Sequence, residues 1–162
     1  MLQKVTKKKI ESRGGHFAIV ASTYNARYVD AMLRAAKAEI LRAGGTVQVI
    51  RVPGAYEIPV VAARLARLGA SNRRPAAIIC LGVILRGATT HAAHIGEAVS
   101  NALMQIQIQC EVPVIHEVLL LENEQQARER CLGRTHNRGT EAAQTALEMA
   151  RVMRAWPNNI SA

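Results

Sequence analysis

The sequence predicts an α/β domain in which a parallel sheet carries helices on both faces. Three observations lead there. Short apolar runs alternate with longer segments whose apolar residues recur at three- and four-residue steps, the pattern of strand followed by helix. Residues able to do chemistry collect where the strand patterns end, which is where such sheets bind ligands. Apolar residues make up 49% of the chain but aromatics only 3%, so the core must be assembled from Ala, Val, Ile and Leu. A length of 162 residues suits one domain with a real core. The whole chain 1–162 is read as that domain, with a basic tail over 1–13 and a core over 14–156.

Each element has its own justification. His16 to Ser22 (HFAIVAS) is a short apolar strand. Val29, Met32, Leu33, Ala36 and Ile40 follow at helical spacing, and Gly44-Gly45 ends that helix. Thr46 to Val52 alternates as a second strand. Ile58, Val61, Ala62, Leu65 and Leu68 mark a second helix, with Pro59 in the first turn, where its missing N–H costs nothing. A loop over 69–75 leads to the run Ala76 to Leu85, rich in β-branched residues and read as a buried third strand. Ile95, Ala98, Val99, Ala102, Leu103 and Ile106 stripe a long third helix. Val112 to Leu121 gives a fourth strand. Asn123 with Gln126 three residues on resembles a capping box opening a short helix, which Gly133 breaks. Ala143, Ala146, Leu147, Ala150 and Met153 mark the last helix.

The most informative stretch is 81–94, Leu-Gly-Val-Ile-Leu-Arg-Gly-Ala-Thr-Thr-His-Ala-Ala-His. A buried strand ends abruptly at Arg86-Gly87, and two hydroxyls and a histidine open a helix. The first N–H groups of a helix lack internal partners and the helix dipole is positive there, so an anion is favoured. The spacing Gly82-x4-Gly87-Ala88-Thr89 is a near miss to a P-loop, with Ala88 where the phosphate-gripping lysine should stand. That argues against nucleoside triphosphate hydrolysis and leaves a smaller phosphate open. Tyr24-Asn25 follows the first strand and Pro53-Gly54-Ala55-Tyr56-Glu57 the second. Two of the five aromatic residues thus lie at strand ends and off the apolar stripes, as a planar stacked ligand would require.

Charge and cysteine usage bound the remaining classes. The formal net charge is +9, and Lys4, Lys7, Lys8, Lys9 and Arg13 against Glu11 concentrate part of it in the tail. A basic balance raises the odds of anionic partners, but no stripe of aromatic and basic residues appears, which argues against nucleic acid. Cys80, Cys110 and Cys131 have no metal-type spacing and are expected as reduced thiols in a cytoplasmic protein. No run approaches the ~18 apolar residues of a membrane span, and no membrane partner is expected. His91 and His94 lie one turn apart, but no carboxylate or third imidazole is spaced to complete a site, so no metal is expected.

Taken together, the motifs resemble the lumazine synthases of riboflavin biosynthesis, over about Gly14 to Trp156. The residues that carry the resemblance are Tyr24-Asn25, Val52-Pro53-Gly54-Ala55-Tyr56-Glu57-Ile58-Pro59, Arg86-Gly87-Ala88-Thr89-Thr90-His91, Glu129-Arg130, and Asn137-Arg138-Gly139 with Glu141. Each alone is weak. Five in order at compatible spacing are specific. The resemblance implies a flavodoxin-like three-layer αβα sandwich with a four-stranded parallel sheet, plus an N-terminal strand added to a neighbouring subunit. It implies a transferase that condenses 5-amino-6-(D-ribitylamino)uracil with 3,4-dihydroxy-2-butanone 4-phosphate, without metal or organic cofactor. It also implies self-association into pentamers and association with riboflavin synthase. The connection Cys131 to Asn137 is short and residues 1–52 lack proline, features that resemble the members closing into a sixty-subunit icosahedral shell.

One feature of composition agrees independently. Four of the five lysines are in the tail and the fifth, Lys37, is mid-helix, so an enzyme-borne Schiff base is poorly supported and the reacting amine must come with the substrate. The resemblance assigns His91 to proton transfer, a task suited to an imidazole because the ring can both accept and donate a proton. Gly87, Ala88 and Thr89 are expected to hold the phosphate, with Arg130 adding a charge-assisted contact. Tyr24 stacks on the pyrimidine beside Asn25. Gly54, Ala55, Tyr56 and Glu57 line the ribityl chain, and Val83 and Ile84 touch the pyrimidine edge. Two positions depart from the family pattern. His116 replaces the Phe that closes the site from the adjacent subunit, and Arg138 replaces Lys, with Glu141 placed to orient it. Two other readings stay open on the same scaffold: a non-catalytic flavin- or pterin-like binding protein, and a shell protein packaging anionic cargo with its basic tail.

Overall fold

The computed structural model describes residues 14–69, 73–133 and 135–156. The basic tail, and with it the strand expected to join a neighbour, lies outside the described residues. Four parallel strands, β1 (His16–Ser22), β2 (Thr46–Val52), β3 (Ala77–Leu85) and β4 (Val114–Leu121), form one sheet in the order β2-β1-β3-β4. They alternate with helices α1 (Ala26–Arg42), α2 (Ile58–Ala66), α3 (His91–Cys110), α4 (Glu124–Cys131) and α5 (Arg138–Ala155), with a 3-10 turn at Ala55–Glu57 before α2. The first two strands match the sequence reading to the residue. The fourth starts two residues later than read, at Val114, because Pro113 has no N–H for the ladder; its carbonyl instead accepts from Ile78 N at 2.8 Å.

Burial explains why the central strands read as continuous apolar runs. Ala77 to Ile84 of β3 are buried on both faces, as is β1 from Phe17 to Ser22. On one face Phe17, Ile19, Ile79 and Leu81 pack with Met32 and Ile40 of α1 and Leu147 of α5. On the other, Val20, Ile78 and Cys80 pack with Ile58 of α2 and Val99 and Leu103 of α3. Each fully buried aliphatic side chain contributes about 1.5–3 kcal/mol relative to exposure. β2 differs: it is one of the two sheet edges, and Val49 on it is 36% exposed.

The strand order sets the site. From β1 the chain steps outward to β2 and then returns to place β3 on the other side of β1. Connections therefore part in opposite directions between β1 and β3, and a crevice opens at their carboxyl ends.

Candidate active site

A cavity of about 890 Å³ occupies that crevice. Tyr24 and Asn25 line it from the end of β1, Gly54, Ala55, Tyr56 and Glu57 from the loop after β2, Val83 and Ile84 from β3, and Gly87, Thr89 and His91 from the turn into α3. Eleven of the residues expected at the site thus meet in one place. Ala88 is exposed in the same turn but does not line the cavity.

The loop after β1 is held by specific bonds. Tyr24 N donates to Pro53 O at 3.0 Å and Thr23 N to Val52 O at 2.8 Å, extending the ladder past the strand ends. Asn25 takes the left-handed conformation at φ 54°, which Asn tolerates better than most residues, and its Nδ2 donates to Val83 O at 2.8 Å. These bonds fix the turn that presents Tyr24, which is 72% exposed. Tyr56 is 63% exposed across the same opening. Two such rings facing solvent beside an apolar floor fit a planar ligand better than they fit a core.

The floor depends on Gly82. A Cβ there would sit 3.1 Å from Val118 Cγ1, 3.3 Å from Ile58 Cδ1 and 3.5 Å from Ala55 Cβ. Gly82 is therefore a buried strand residue that lets the 3-10 turn lie close on the sheet. It is not a phosphate-loop glycine, and the P-loop spacing read from the sequence is coincidental. Gly87 is the opposite case: a Cβ there meets nothing within 4 Å, so space beside its backbone is open. His91 is exposed as the first residue of α3, and its N–H donates to Thr89 Oγ1 at 3.4 Å. Glu57 Oε2 accepts from Gly54 N at 2.9 Å, so the carboxylate closes the turn with one of its two oxygens.

His116, Arg130, Arg138 and Glu141 do not line the cavity. His116 lies on β4 facing α3, with Nε2 2.8 Å from Ser100 Oγ. Arg138 opens α5, where its Nε donates to Glu117 Oε1 and its Nη1 to Glu141 Oε2, each at 2.6 Å. Burial pushes the Glu117 carboxyl up, opposed by the attraction and hydrogen bond of Arg138 and by the charge of Arg130. The half-buried Arg130 is thus electrostatically part of this second cluster. A single chain therefore divides the expected residues between an apolar-floored cavity and a charged cluster outside it.

A sequence model described as 6,7-dimethyl-8-ribityllumazine synthase matches residues 14–154. The chain belongs to that family. Relatives named 6,7-dimethyl-8-ribityllumazine synthase include one from Xanthomonas oryzae pv. oryzae (strain PXO99A), 40% identical over 87% of this chain and 91% of the relative. Another, from Stenotrophomonas maltophilia (strain R551-3), is 40% identical over 87% of this chain and 90% of its own length.

Two residues of this chain escape a reading of the sequence. Glu117 carries a faint signal, a carboxylate inside an apolar strand, which demands a buried partner. Ser100 carries none, because a serine on an exposed helical position is unremarkable until the strand beside it is known. His94 also lines the cavity, but no group of three His, Cys, Asp or Glu side chains among the described residues is placed to hold a metal ion. Burial pushes the Cys80 thiol up, and it holds the Cys131 thiol at about 11, so neither supplies a thiolate nucleophile.

Proposed function

We propose that the chain condenses 5-amino-6-(D-ribitylamino)uracil with 3,4-dihydroxy-2-butanone 4-phosphate, releasing 6,7-dimethyl-8-ribityllumazine, phosphate and water. The observation that carries this reading is the meeting of Tyr24, Tyr56, Glu57, the open Gly87 turn and His91 in one cavity. The primary amine of the pyrimidine attacks the ketone carbonyl and a first water leaves to form an imine. Phosphate is then eliminated to leave an enol that tautomerises to a new ketone, and the second amine adds to that carbonyl and expels a second water, closing the ring. The protein supplies geometry and protons. Holding two reactants in register is worth up to roughly 7–11 kcal/mol of barrier. Tyr24 stacks on the pyrimidine, with Asn25, Val83 and Ile84 around its edge. Gly54, Ala55, Tyr56 and the second oxygen of Glu57 take the ribityl hydroxyls. Gly87, Ala88 and Thr89 receive the phosphate near the start of α3, and His91 relays protons between the leaving groups and the ring.

An anion in this cavity lacks one thing. Among the described residues no arginine or lysine lines it, although elimination of phosphate calls for a charge-assisted contact. The reading is completed by a second copy that brings His116, Arg130 and Arg138 to the rim, with Glu141 orienting Arg138. This supports a ring of five as the working unit, and the short connection 132–137 favours closure into a sixty-subunit shell. The expected compartment is the cytoplasm, in keeping with three unpaired cysteines. Mixing the purified protein with both substrates and following the lumazine chromophore tests the activity. Absence of the chromophore with both substrates saturating sinks it.

A further inference from the structure

Ser100 and His116 form a hydrogen-bonded pair whose directions can be assigned. Ser100 Oγ lies 2.7 Å from Gly96 O, one turn earlier in α3, and 2.8 Å from His116 Nε2. A hydroxyl has one hydrogen, and a carbonyl oxygen can only accept. The hydrogen therefore goes to Gly96. The hydroxyl has only lone pairs left for the imidazole, so Nε2–H is the donor to Ser100. A neutral imidazole carries one N–H. Its Nδ1 is then a bare acceptor on an exposed side chain, with no partner among the described residues.

We propose that Ser100 is a positioning residue that holds His116 as its Nε2–H tautomer, and that His116 Nδ1 is a specificity-determining acceptor for an N–H group of the pyrimidine. This rests on the reading that residue 116 closes the cavity of a neighbouring copy. A phenyl ring at that place can only stack. An imidazole with a fixed tautomer demands a donor in the plane of its ring, which the ring N–H and amino groups of an aminouracil supply when its edge faces Nδ1. A heterocycle lacking a donor there leaves Nδ1 desolvated and unpaired, which costs more than the bond itself returns.

The test is clean because the fold does not need the hydroxyl. Serine inside a helix is neutral to unfavourable, so Ser100→Ala keeps α3 intact. In the full-length assembled protein, solid-state NMR of 15N-labelled histidine above neutral pH shows His116, assigned by its loss in His116→Phe, as one tautomer protonated at Nε2. Ser100→Ala gives a mixture, and Ser100→Thr, which keeps the hydroxyl, restores the single form. Calorimetry with 5-amino-6-(D-ribitylamino)uracil alone shows Kd raised about three- to tenfold in Ser100→Ala, the span of one neutral hydrogen bond. Ser100→Thr returns it toward wild type, and the KM for the phosphate substrate stays unchanged. The proposal is overturned by any one of several results: a tautomer indifferent to Ser100→Ala, equal weakening of both substrates, or no pyrimidine binding by the wild type. Wild-type protein that binds the pyrimidine in this Ser100-dependent way but forms no lumazine keeps this proposal and removes the condensation.

Discussion

His91 and Glu117 illustrate how differently two titratable residues can serve one chain. His91 is exposed at the cavity rim and assigned to proton transfer, with no part in ring stacking. His91→Ala is therefore expected to slow turnover by ~10²-fold while leaving the Kd of the pyrimidine nearly unchanged. Steady-state rates over a pH series beside calorimetry check this, and an unaltered pH profile removes the role. Glu117 is buried and paired to Arg138 at 2.6 Å. Arg138→Ala strands that charge and is expected to destabilise the protein by about 3–5 kcal/mol near neutral pH. Burial has raised the folded-state pKa of Glu117 above its unfolded value. Its contribution to stability is thus fully present below the ordinary carboxylate range and is lost as pH rises through the raised value. The Arg138→Ala deficit should shrink as pH falls into that window, whereas Arg138→Ala in a Glu117→Gln background should show no such recovery. Thermal unfolding at fixed protein concentration over several pH values distinguishes them.

At the scale of elements, two glycines make opposite demands. A Cβ at Gly139 would lie 2.0 Å from Met32 O, so α5 can lie against the α1 backbone only with glycine there. Gly139→Ala must push the helices apart, and the cost is expected to reach or exceed the ~1–3 kcal/mol of ordinary overpacking. It should also loosen Arg138, the neighbouring residue, from Glu117. Gly87→Ala is expected to leave the melting temperature unchanged, because its methyl group meets nothing. If phosphate approaches the backbone at that turn, the same methyl raises the KM of the phosphate substrate and not that of the pyrimidine. A KM unchanged for both would place the phosphate elsewhere. Both glycines look alike in the sequence; only the opposing element tells them apart.

For the whole molecule, unfinished surfaces remain at both edges of the sheet. β2 is a sheet edge paired only to β1 among the described residues, and Val49 stands partly exposed on it. On the α3 and β4 side, Met104 is 54%, Ile108 67% and Leu120 37% exposed. Unpaired edges and apolar faces of this kind invite a copy of the same chain. The expected result of sedimentation and light scattering is a sixty-subunit shell. A single species at pentamer mass, at neutral pH with and without millimolar phosphate, refutes the shell and leaves the enzyme reading intact.

The sequence by itself determined the layers. Apolar periodicity located β1 and β2 to the residue, and the β3 and β4 ends to within two, because burial on a strand or helix writes itself into the spacing of residues along the chain. It also marked the loops that line the cavity, since Tyr24, Tyr56 and His91 fall outside every apolar stripe. What it did not determine is what faces what. Gly82 matched a phosphate-loop spacing and proved to be a strand residue beneath Ile58 and Val118. His116 stood inside an apolar strand with no visible partner until α3 brought Ser100 to 2.8 Å. Arg138 lay next to nothing in the chain that foretold Glu117. Spacing along a chain encodes periodicity, whereas hydrogen bonds and close approaches join residues far apart in sequence, and those pairings exist only once the sheet order β2-β1-β3-β4 is formed.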